Sequence, residues 1–353
     1  MPNRQSPYLT LLAGVLVTTV LGSIHAFSVF IFPLEQEFGA SRTQVSLIYS
    51  LALVTLTIFV LLGYKIYSRL CATKLIVLAC VIASAGLALA AASPNLITFV
   101  LGYSLLFGAA NGVGYGFVLQ LVAQALPHKR GFAMGTVTAA YAVGASVFAK
   151  LIAFMIYVQD YKTALLVMAV VLLGVALIAR ILAALSNAQY QQKLNSSDAK
   201  LGVSRAEILQ LGMGYGLGVA AGLMVIGHAA AIVASRDPEP SLAVLGVMLI
   251  SIGNAIGGLV AGFMCDRWPV NRLLILLPAI SMISLFALIF VVDSSLTIAG
   301  LTIVGICYGA IIAVYPIAIL VNFGTERSAQ VWTCIYCLGR SGNLRALVCR
   351  LTV

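Results

Sequence analysis

Two histidines, 203 residues apart, carry the first chemical signal in this chain. His25 lies in GSIHAF and His228 in VIGHAA, each late in a long apolar run. An imidazole titrates near neutral pH and binds an anion when charged. The plainer reading is a neutral histidine hydrogen-bonded inside a helix bundle. Tyr115 and Tyr315 form a second matched pair, and Asn111, Gln120, Gln124, Asn254 and Tyr308 add neutral polar groups within apolar runs. Such groups can orient a carboxylate. They can equally be interhelical hydrogen bonds, worth about 0.6 kcal/mol each. Lys150 is the one full charge well inside an apolar run, and it offers a positive site for a carboxylate. It also lies roughly 9 Å from the run's outer end at 1.5 Å per residue, close enough for its stem to carry the ammonium to the interface.

What is missing narrows the chemistry further. No Asp or Glu lies deep in an apolar run; Glu207 and Asp293 stand at run ends. A carboxylate proton relay is therefore not expected. The chain has no G-x-S-x-G, HExxH or Walker loop, so an enzyme, an intramembrane protease or an ATPase is unsupported. The seven cysteines are scattered, and no metal, cofactor or disulfide framework is expected from them.

The elements that must position these residues are membrane helices. Of 353 residues, 62% are hydrophobic and 8% charged, where a soluble domain carries about 25% charged residues. Ten apolar runs of spanning length are expected, at about 8–33, 45–63, 74–92, 96–124, 131–156, 163–185, 206–234, 241–263, 273–292 and 296–322. The net charge of +10 does not point to nucleic acid, because its distribution follows the runs. With a cytoplasmic N-terminus, thirteen Lys or Arg fall in inner segments and three (Arg42, Lys162 and Arg236) in outer loops. A multi-pass protein of the cell membrane, N-terminus cytoplasmic, is the reading; the lipid bilayer is its one certain partner. The first run is too long for a signal peptide and is read as a retained helix.

The chain repeats itself. His25 and His228, Gly108 and Gly305, and Gly63 and Gly262 stand at offsets of 203, 197 and 199. A polar stretch at 186–205 separates two halves, with Ser204 and Glu207 spelling a capping box for the next helix. The boundaries follow: an N-terminal six-helix half over 1–185, a cytoplasmic linker over 186–205, and a C-terminal half over 206–332. Parallel repeats of this kind place a site between the halves near the midplane.

Residues 114–135 carry a resemblance. Gly-Tyr-Gly-Phe at 114–117, then Pro127-x-Lys129-Arg130-Gly131-x-Ala133-x-Gly135, resembles helices four and five of a major facilitator superfamily transporter. Within that superfamily the oxalate:formate antiporter and monocarboxylate porter group is the nearest match. The resemblance implies an all-α fold of two pseudo-repeated six-helix halves, with helices 1, 4, 7 and 10 lining the central path. His25, Asn111, Tyr115, His228 and Tyr315 would lie near it, with Lys150 as the cationic candidate. It also implies a charged latch in the G-x-x-x-D-R loops. Gly262, Asp266, Arg267 and Arg272 match that loop in the second half. In the first half only Gly63 survives, with Tyr67 at the Asp position and Ser68 at the Arg position. Dicarboxylate porters of the group carry an Arg in helix 8, where this chain has Gly258, which puts a dianion in doubt.

After Trp332 the text changes. Arginines recur every few residues over 333–353 and no helix of length survives. Dropping one base among permitted codons restores a glycine-punctuated apolar run like helix eleven of that group. A frameshift near codon 332 is expected, leaving about ten full helices and making the Cys334–Cys337 spacing accidental. The function expected is alternating-access transport of a small monocarboxylate-like anion, most simply by a monomer. The rivals are efflux of an amphipathic drug-like solute by the same fold, and a non-transporting truncated remnant.

Overall fold

The computed structural model describes residues 6–67, 70–127, 129–187, 190, 205–265, 267–315 and 318. Ten helices are long and apolar enough to cross a membrane among them. We label them α1 (Pro7–Phe38), α2 (Arg42–Tyr67), α3 (Ala72–Ala91), α4 (Leu96–Ala125), α5 (Arg130–Val158), α6 (Tyr161–Leu185), α7 (Arg205–Ala234), α8 (Pro240–Cys265), α9 (Val270–Phe290) and α10 (Ser294–Tyr315). The aberrant tail and the capping box at Ser204 lie outside the described residues.

Local chemistry sets several helix starts. Asp160 accepts the Thr163 N–H at 2.7 Å and opens α6, and Asn95 accepts the Thr98 N–H at 2.9 Å and opens α4. Side-chain oxygens at this position satisfy donors that have no partner within the helix. The backbone donation from Thr163 holds the Asp160 carboxyl below the usual carboxylate range. Gly39, at φ 57°, ends α1 in the left-handed region that glycine enters without strain.

α1 differs from the expected helix over 8–33. It continues to Phe38, and Pro33 does not end it. The helix is wound as a nine-residue 3-10 segment over Gly22–Phe30 and then resumes as an α-helix at Ile31. Pro33 falls in the first turn of that resumed helix, where its missing N–H interrupts nothing. α4 is likewise wound more loosely, as a π-helix, over Leu101–Phe107. Long departures of this kind are uncommon and concentrate at functional places.

α1 is the axis of the bundle. Its spanning window is 72% buried, against 17% for α9 at the periphery. It packs on α4, α5 and α6 of its own half and, through the 3-10 segment, on α7 and α8 of the other. The extensive α5–α8 contact is the second place where the halves meet.

The halves share one backbone contact. A Cβ on Gly108 or Gly112 of α4 would strike the carbonyls of Ala52 or Leu56 on α2. A Cβ on Gly305 or Gly309 of α10 would strike those of Ile250 or Asn254 on α8. Small residues let helix backbones approach closely where lipid offers no hydrophobic drive between helices.

Candidate functional site

Asn111 anchors the polar core of the first half. It donates through Nδ2 to the Leu21 carbonyl at 2.6 Å, at the junction where α1 changes winding. Its Oδ1 accepts from the Tyr141 hydroxyl at 2.8 Å. Tyr141 can reach this place because α1 and α5 touch backbone to backbone: a Cβ on Gly22 would collide with the Tyr141 carbonyl, and one on Gly144 with the Thr19 carbonyl. The Tyr141 ring stands edge-on to His25, centroids 5.4 Å apart, and 4.6 Å from the Tyr115 ring. Tyr115 in turn lies 3.3 Å, hydroxyl to hydroxyl, from Thr138. His25 is buried, and its Nδ1 is 2.7 Å from the Tyr49 hydroxyl.

Tyr49 leads out of the first half. Its ring stacks on Phe27, centroids 5.8 Å apart, and lies against Gly227, where an added Cβ would meet the ring at 2.7 Å. It therefore spans from α1 to α7. Beside it a cavity of about 290 Å³ lies between α2 and α7. Ser46, Tyr49, Ser50 and Leu53 line it from α2, and Ala220, Leu223, Gly227 and His228 from α7. Each set follows the spacing of a single helix face. Ser46 Oγ is buried there and has no hydrogen-bond partner among the described residues. The cavity is thus an interface between halves, polar by Ser46, Tyr49 and Ser50 of α2 and His228 of α7, and apolar elsewhere.

Of the residues singled out by sequence, the structure gathers His25, Asn111 and Tyr115 into one cluster and sets His228 beside it, across Tyr49. Two expected members stand apart. Lys150 is exposed and shares a stripe with the exposed Val143, Val147 and Phe154, on the side of α5 away from Tyr141 and Gly144. That apolar stripe suits lipid, and Lys150 has the snorkelling position. Tyr315 is buried at the far end of α10, edge-on to Tyr215 at 5.0 Å and packed over Gly214. Tyr49 and Tyr141 were missed. Neither was marked by a repeat partner, and only the α2–α7 and α1–α5 crossings bring them to this place. Among the described residues no three His, Cys, Asp or Glu side chains are grouped to hold a metal.

The inner ends of the two halves differ. Tyr67, at the latch-Asp position, belongs to α2 itself, so the helix runs past the expected end at 63. Its ring folds back over Gly63 and packs on Phe117 at 5.2 Å and on Tyr190 at 6.0 Å. Tyr190 donates to Gln120 Oε1 at 2.5 Å. Burial raises the Tyr190 phenol above its usual range. An aromatic clasp thus stands where the resemblance implies a charged latch. In the second half Arg267, just beyond α8, and Arg272, in the first turn of α9, are exposed, their amides bonded to the carbonyls of Met264 and Pro269 respectively. Gly262 lies in the last turns of α8, and Asp266 is outside the described residues.

Ten helices of spanning length among the described residues, packed as one bundle, define a polytopic membrane protein. The chain belongs to the Major Facilitator Superfamily, whose pattern matches residues 11–344. It is similar to the uncharacterized MFS-type transporter YhjX of Escherichia coli K12, 25% identical over 351 residues, covering 94% of this chain and 85% of that protein. Its fold is that of the xylose transporter XylE from E. coli, with a TM-score of 0.69 at 13% identity, covering 95% and 90% of the two chains. A bacterial homologue of the human lysosomal transporter Spinster aligns with a TM-score of 0.64 at 16% identity, covering 95% and 81%.

Proposed function

We propose that this transporter moves a small organic anion, monocarboxylate-like, through the cavity between α2 and α7 by alternating access. One observation carries the reading. The cavity joins the two halves and brings an imidazole, a phenol and two serine hydroxyls together, with no acidic side chain among the described residues that line it. Hydroxyl and imidazole donors match a carboxylate, and the unpartnered Ser46 Oγ supplies a group that a ligand would satisfy. Buried polar groups without partners are otherwise costly, by about 1–3 kcal/mol each. The positive-inside distribution favours a cytoplasmic N-terminus, with the Ser46 and His228 end of the cavity outward.

Uptake into proteoliposomes, competed by a panel of carboxylates, tests the reading. Lactate-sized acids are expected to compete, and dicarboxylates weakly. If neither class competes, the anion reading fails. Leu53, Val54, Leu223 and Met224 make the remaining wall apolar, which also suits an amphipathic solute. Competition by neutral or cationic amphiphiles, without carboxylates, would favour that second reading.

A further inference from the structure

We propose that Tyr49 is the gate at the outer side of this cavity, with Gly227 as its seat and His25 as the group that holds it there. The proposal rests on reading the cavity as the transport path, but its test needs no substrate.

Three observations meet at this ring. First, Tyr49 belongs to α2 and rests on α7, so it is a contact between the two bodies that must separate for the outer side to open. The ring lies so close to Gly227 that even a methyl group there would meet Cδ1 at 2.7 Å and Cε1 at 2.8 Å. Such distances leave no space between ring and helix, so α2 and α7 cannot close further. Second, the ring lines the cavity between residues on either side of it along α2. Ser46 lies one turn toward the Arg42 end of α2, while Leu53 lies one turn the other way, level with Ala220 and Leu223 of α7. Third, the ring is held from its own half. His25 Nδ1 is 2.7 Å from its hydroxyl, and Phe27 stacks on its face. His25 and Phe27 both belong to the 3-10 segment of α1, which also touches α7. The tighter winding thus presents two side chains to one ring, and Tyr49 has a fixed place while α7 moves against it.

The structure assigns unequal roles to the two residues of the seat. Tyr49 is a positioning residue, since its ring fixes the separation of the halves. Gly227 is the site where its fit can be altered without touching any polar group. A Cβ at 227 wedges the ring away and favours the separated arrangement, whereas loss of the hydroxyl alone frees the ring but leaves the seat intact.

The test is labelling of Ala220→Cys by a membrane-impermeant maleimide added to the outer side of intact cells, with the unsubstituted protein as blank. Ala220 lies past the gate from that side. In the otherwise native chain, labelling of this cysteine is expected to be slow. Adding Gly227→Ala or Tyr49→Ala should speed it by about fivefold or more, and Tyr49→Phe by about two- to threefold, following the population shift that a lost contact produces. Each variant is first checked for a monodisperse peak, and Tyr49→Phe, which keeps the packing, guards against a folding artefact. Unchanged labelling in Gly227→Ala and Tyr49→Ala together would overturn the gate. Faster labelling with no competition by carboxylates would leave the gate standing and sink the anion reading instead.

Discussion

The two halves of this bundle are built on the same contact and finished differently. In the first, α2 and α4 meet where Ala52 and Leu56 present carbonyls to Gly108 and Gly112; in the second, α8 and α10 meet where Ile250 and Asn254 present theirs to Gly305 and Gly309. The second half adds glycines on the facing helix, with Gly253 and Gly257 against the carbonyls of Thr302 and Ile306. The first half adds side chains instead: Asn111 to Leu21, Tyr141 to Asn111, and Ser104 to the Ile48 carbonyl at 2.7 Å. The backbone contact is common to both halves, and the polar network is described in the first half alone. Their inner ends differ in the same way, an aromatic clasp at Tyr67 in the first against a charged loop at Arg267 in the second.

The largest expected effect tests the shared part. Gly112→Leu and Gly309→Leu should each prevent a stable monomer peak in detergent, since forced overpacking typically costs about 1–3 kcal/mol even where side chains can give way, and here backbone must move. If one half tolerates the change and the other does not, the contacts are not equivalent. Next comes the polar network. Asn111→Ala removes the bonds to the Leu21 carbonyl and from the Tyr141 hydroxyl, and should lower stability by about 1–3 kcal/mol in a thermal melt. A neutral result would reduce the network to decoration.

The clasp should matter less. Tyr190→Ala removes an aromatic contact worth about 0.5–1.5 kcal/mol, and hydrogen exchange at the inner end of α4 should rise. The clasp also has a pH signature. Burial raises the phenol's pKa in the folded chain, so the unfolded chain ionises first. Its stabilising contribution is complete below the ordinary tyrosine value and is lost as pH rises through the folded one. Phenolate absorbance in the Tyr190→Phe variant, subtracted from that of the native chain, would show the late titration. The smallest effect is expected at Lys150: Lys150→Gln should leave uptake within about twofold, because snorkelling stems contribute little to a distant site.

Much of the fold was legible in the sequence. Ten spans followed from hydropathy because lipid demands long apolar helices, and the repeat offset paired Gly108 with Gly305, which the structure sets against matching backbone contacts. The matched histidines both lie beside Tyr49. Their different roles were not legible, since His25 is buried on Tyr49 while His228 faces a cavity, and that depends on how α2 crosses α7. Lys150 illustrates the opposite failure. Its charge drew attention, yet charge in an apolar run does not say which face it occupies. Helix ends at Pro33 and Gly63 were drawn early because proline and glycine read as breaks. In α1 the proline restarts a helix, and in α2 the glycine makes room for Tyr67.

The most direct measurement is uptake of a competing monocarboxylate by proteoliposomes carrying the native chain, His228→Gln or Lys150→Gln, side by side. The account predicts that His228→Gln raises the half-saturating concentration by about three- to tenfold, the loss of one imidazole hydrogen bond, while Lys150→Gln matches the native chain. The reverse order, with Lys150→Gln impaired and His228→Gln unchanged, would contradict it.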